Sequence, residues 1–75
     1  MPTILFPFEE NRQKSMLLGI QTIKDFGQTM TFEELTSLIR LFLSGEDIKC
    51  EIPINKMEII LRRLTDQGFV FTIIN

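Results

Sequence analysis

Leu61-Arg62-Arg63-Leu64-Thr65-Asp66-Gln67-Gly68-Phe69-Val70 is the stretch on which the fold turns. Two leucines three apart share one helix face, a short polar turn follows, and Gly68 stands where a left-handed cap needs a residue without Cβ. Phe69 to Ile74 is then a β-branched and aromatic run of strand length. A helix end, a glycine cap and a strand are therefore expected in immediate succession.

Working outward, Asn55-Lys56-Met57-Glu58 reads as the start of that third helix, with Asn as cap, Glu three residues on, and Ile54 and Ile59 at hydrophobic-staple positions. Met57, Ile60, Leu61 and Leu64 form its apolar stripe. The alternation from Ile48 to Ile52 predicts a short strand, and Pro53 biases Ile52 toward extended backbone. The second helix opens at Thr31-Phe32-Glu33-Glu34, a capping box stapled by Met30 and Leu35. It carries Leu35, Leu38, Ile39 and Phe42 on its apolar face and closes at Gly45. A first helix runs from about Glu9 to Phe26, with Met16, Gly19, Ile20, Ile23 and Phe26 on one side, Gly27 after its end, and Gly19 allowing a close helix approach. The predicted core is Ile20, Ile23, Phe26, Leu35, Leu38, Phe42, Met57, Ile60, Leu61, Leu64 and Phe69.

Seventy-five residues with 44% hydrophobic content make one domain over 1–75, with 1–8 as an extended N-terminal segment, because two cores need roughly 100 to 200 residues each. With no His, no Trp, no Tyr and one Cys, the sequence lacks the usual means for histidine-dependent acid–base chemistry, zinc coordination or a disulfide scaffold. Ser15, Ser37 and Ser44 have no histidine to activate them. Glu9/Glu10, Glu33/Glu34 and Glu46/Asp47 lie at helix starts or in a turn, where negative charge complements the helix dipole. The expectation is a non-enzyme with no catalytic residue, cofactor or metal. Cys50 alternates with Ile48 and Ile52 and reads as an inert core thiol.

Eight Lys and Arg against ten Asp and Glu give a net charge of −2, so any nucleic-acid role must rest on a local patch. The part through Ile48 carries −3 and the part from Lys49 onward +1. No apolar run reaches the roughly 18 to 20 residues of a membrane helix, and no basic region precedes the N-terminal apolar residues. A cytoplasmic location without membrane association is expected.

The order helix, corner at Thr29 to Thr31, helix, turn, helix, terminal strand resembles the winged helix-turn-helix superfamily. Leu61 to Val70 and Gly27 to Leu35 carry the likeness, which covers roughly residues 15 to 72. The resemblance implies an α+β, three-helix winged-helix-like domain with a small β-sheet. Two departures stand out. Gly45 to Ile54 is longer than a tight helix-turn-helix turn, and the sequence stops at Asn75, which leaves a truncated wing. The terminal strand then pairs with the Thr29 to Thr31 corner, Ile48 to Ile52, Thr3 to Phe6 or a second subunit.

Carried to function, the resemblance implies a small DNA-binding transcription regulator whose third helix enters the major groove of double-stranded DNA. Asn55, Lys56, Ile59, Arg62 and Arg63 would face the DNA, and Lys49 would add a backbone contact. The alternative is a protein–protein interaction module, such as an adaptor, assembly subunit or inhibitor, using Ile4, Phe6, Phe8, Leu18 and Leu41 as interface. A homodimer suits either role.

Overall fold

In the computed structural model of the protein, which describes residues 2–26 and 30–74, the apolar Thr3–Phe6 segment is strand β1, central in a three-stranded sheet. On one side β1 pairs antiparallel with β2 (Ile48–Glu51), placing Thr3 opposite Glu51. On the other it pairs with β3 (Thr72–Ile74), placing Thr3 opposite Ile74. β2 and β3 therefore run parallel to each other with β1 between them, and helix α4 (Met57–Asp66) makes the crossover. The fold is α+β, and among the described residues it has four α-helices.

The pleat decides where the core lies. Ile4, Phe6, Ile48 and Cys50 share one face of the sheet and are buried there with Ile20 and Ile23 from α2 (Met16–Asp25), Phe42 from α3 (Phe32–Leu43), and Ile60 and Leu64 from α4. Ile4 and Phe6, expected at a protein interface, are 0% exposed and form the centre of this core. Their segment reads as surplus apolar surface only while its two strand partners, both far along the chain, are unknown. Of the predicted core, Phe26, Leu35, Leu38, Met57 and Leu61 are half-buried at its margin.

The expected first helix is two. α1 (Phe8–Asn11) ends at Asn11, and α2 begins only at Met16. Asn11 is fully buried: its amide donates to the Pro7 and Val70 carbonyls, both at 2.8 Å, and its Oδ1 accepts the Val70 N–H at 2.9 Å. This clamp fixes the chain after α1 to the segment before β3. It also explains why β3 starts at Thr72 and not at Phe69, since the Phe69 N–H caps α4 on Leu64 O and Val70 is held by Asn11. Gly19 admits the Phe69 ring, not a helix: a Cβ there would lie 3.0 Å from Phe69 Cζ and 2.7 Å from Met16 Cε.

The second helix starts as expected. Thr31 Oγ1 accepts the Glu34 N–H at 3.1 Å, and its hydroxyl donates to Glu34 Oε1 at 3.2 Å, so the return bond goes to the hydroxyl and not to the Thr31 amide. Thr31→Ala should cost about 1 kcal/mol in urea unfolding, with Glu34→Gln nearly neutral because an amide serves the same box. Gly45 (φ 91°) and Gly68 (φ 84°) end α3 and α4 in the left-handed conformation, each followed by an N–H bonded back to Leu41 O or Leu64 O. Gly27 and Thr29 lie outside the described residues, and Met30 and Thr31 form no strand.

The third helix departs from its predicted cap. Asn55 sits inside a 3-10 turn (Ile54–Lys56), no side chain caps α4, and Ile54 is 76% exposed instead of acting as a staple. Pro53 supplies the reason: its fixed φ of −70° sets the turn, and the Lys56 N–H bonds to Pro53 O at 3.1 Å before the α-helix begins.

Candidate functional site

Two surfaces bear on function. The first is the outer arc of α4. Arg62 and Arg63 are exposed and Ile59 is 39% exposed, with exposed Asn55 and Lys56 on the turn before them. The structure thus brings five of the six proposed DNA-facing residues together. Lys49 is not among them: it alternates with buried Ile48 and Cys50 and points to the sheet face away from the helices.

Among the described residues, one of the arc's three cations is ion-paired and a second lies over an aromatic ring. Arg62 Nη2 lies 3.4 Å from Glu58 Oε1, and the Arg63 guanidinium carbon sits 5.5 Å from the Phe26 ring centroid, a cation–π arrangement. Glu58 and Asp66 are exposed on the same helix. The arc thus carries three bases against two acids, a surplus of one positive charge.

The second surface is the outer edge of β2. The Ile52 N–H donates to Pro2 O at 2.9 Å, which makes Pro2 and Ile52 a hydrogen-bonded pair of the antiparallel ladder. Such pairs alternate, so Ile4 and Cys50 are bonded too, while the backbone N–H and C=O of Lys49 and Glu51 point away from β1. Among the described residues no strand pairs with them. The N-terminal half of α3 lies alongside, leaving an open groove of about 890 Å³ between Glu33, Glu34 and Leu38 on the helix and Lys49, Cys50 and Glu51 on the strand. Met30 and Thr3 complete its ends. Pro53, the next residue facing this edge, has no N–H and stops any ladder there.

Cys50 lines the groove but is only 6% exposed. Burial pushes its thiol up to about 11, with the Glu34 and Glu51 carboxylates adding to the rise. It stays protonated at neutral pH and should react with a disulfide reagent far more slowly in the folded chain than in urea. A thiol raised on folding favours the native state below the unfolded value of about 9, and that contribution is lost as pH climbs toward 11.

The remaining proposed interface residues lie on three different helices, α1, α2 and α3. Phe8 is half-buried against Phe42, ring centroids 5.1 Å apart, while Leu18 and Leu41 are 49% and 44% exposed. Sequence reasoning missed the groove, and also Phe32 and Leu43, which stand 80% and 76% exposed on α3. Among the described residues no three His, Cys, Asp or Glu side chains are placed to hold a metal ion, and no helix is long and apolar enough to cross a membrane. Asp47 of one acidic pair has a structural task, since the Phe8 N–H donates to its Oδ1 at 2.8 Å. Compared with known proteins, the chain matches no family model, no curated protein and no solved structure.

Proposed function

We propose that this protein is a protein-interaction module that takes an extended segment of a partner as a fourth strand along the edge of β2. The observation that carries this is the outward-facing backbone of Lys49 and Glu51 beside an open groove walled by α3. Main-chain hydrogen bonds supply affinity in strand addition, and alternate side chains entering the groove supply selectivity.

Amide exchange along β2 tests the edge directly. In the isolated protein the Cys50 and Ile52 amides should exchange slowly, and those of Lys49 and Glu51 fast. Peptides selected from a random extended library should slow Lys49 and Glu51, and Lys49→Pro should abolish their binding. That substitution removes an outward N–H without breaking the β1 ladder, so thermal unfolding should change little. Protection of both amides in the isolated monomer would mean the edge is already filled, and would sink the proposal.

Duplex DNA binding by a winged-helix-like regulator is favoured by one observation, the shared exposure of Lys56, Arg62 and Arg63. On that model a labelled random-sequence duplex binds at about 50 mM salt, releases steeply by about 200 mM, and is lost with Arg62→Glu plus Arg63→Glu. The Glu58–Arg62 pair and the opposite placement of Lys49 make strand addition the better-supported function.

A further inference from the structure

The lining of the groove carries a net negative charge. Glu33, Glu34 and Glu51 stand against Lys49 alone, a local balance of −2 that equals the net charge of the whole chain. The remaining surface therefore sums to neutrality. Glu34 is also held in place, since its carboxylate accepts the Thr31 hydroxyl. Cys50, Leu38 and, at one end, Met30 add apolar side chains to the lining.

Resting on the strand-addition proposal, we infer that the partner segment is basic: an extended peptide whose Lys or Arg side chain, paired opposite Cys50, runs its apolar stem over Cys50 and Leu38 and sets its charge beside Glu33 and Glu34. The pleat dictates this pattern. A residue paired opposite Cys50 faces the helix side, while those opposite Lys49 and Glu51 face the outer side. Basic residues turned toward the α3 wall, alternating with apolar ones on the outer face where Lys49 and Glu51 cancel, thus match the groove. A second copy of this chain fits less well, because edge-to-edge pairing would bring two α3 helices together with Glu33 and Glu34 on each.

Two labelled, end-capped hexapeptides test this on the full chain, one alternating Lys with Val and the other alternating Glu with Val. Anisotropy should show saturable binding of the Lys peptide, with slowed exchange at Lys49 and Glu51, and binding of the Glu peptide weaker by about tenfold at least. Glu33→Gln, which leaves the Thr31–Glu34 cap intact, should narrow that difference to about threefold. Equal affinity for both peptides, with slowed exchange, would overturn the charge inference and leave strand addition standing. Slowed exchange with neither peptide, or Lys-peptide binding that leaves the two amides fast, would overturn both. Protection that rises with protein concentration alone would assign the edge to a second copy and also overturn the inference.

Discussion

Phe6→Ala should unfold most of the protein's stability, costing about 3 to 5 kcal/mol in urea denaturation. Phe6 is fully buried in the middle strand, and its ring meets Phe69 edge-on at 6.0 Å and Phe71 at 6.4 Å, so truncation empties the junction between sheet and helices. Domains of this size sit toward the low end of the roughly 5 to 15 kcal/mol found for native proteins, so this one change removes a large share. The thermal midpoint should fall by about 15 °C or more. Leu5→Ala is the internal control: Leu5 lies on the opposite face of the same strand, half-buried, and should cost about 1 kcal/mol. Similar losses at both positions would contradict the placement of β1.

Asn11→Ala should cost about 2 to 4 kcal/mol, an unusual penalty for a polar residue, because it strands three backbone groups at once. The Pro7 and Val70 carbonyls lose their donor and the Val70 N–H its acceptor, in a site with no exposed surface on Asn11 itself. Asn11→Asp discriminates this clamp from simple packing. It keeps the acceptor for Val70 but loses both donors and buries a carboxylate, whose raised folded value makes the variant recover stability below about pH 4 and lose it as pH rises. Urea midpoints at two pH values read the difference; a pH-independent loss equal to that of Asn11→Ala would refute the hydrogen-bond account.

What could be read from the residues was local. The Thr31–Glu34 box and the glycine caps at Gly45 and Gly68 depend on neighbours within about one turn, so their spacing alone places them. Leu38 and Phe42, or Ile60 and Leu64, declare an inward face by periodicity. Arg62 and Arg63 then fall outside it by subtraction. What could not be read was long-range. Thr3-Ile4-Leu5-Phe6 lacks polar alternation and therefore resembles sticky surface, until β2 and β3 close on either side of it. Asn11 looks like one more polar residue in an amphipathic helix because its partner Val70 lies near the far end of the chain. The groove was hidden for the same reason: it joins residues around Glu34 to residues around Glu51 across a turn, and no spacing rule connects them.

Because Thr3 and Ile74 are direct partners on adjacent strands, the backbone traces a nearly closed ring. A hairpin connection of about two to five residues could join them across that pair, since neighbouring antiparallel strands lie about 5 Å apart. The ring could then be reopened at the exposed Gly45–Glu46 turn, so that synthesis begins with β2 and ends with α3. Such a circular permutant would keep every strand pair described above while turning β1 from an outlying segment into the second arm of a hairpin with β3.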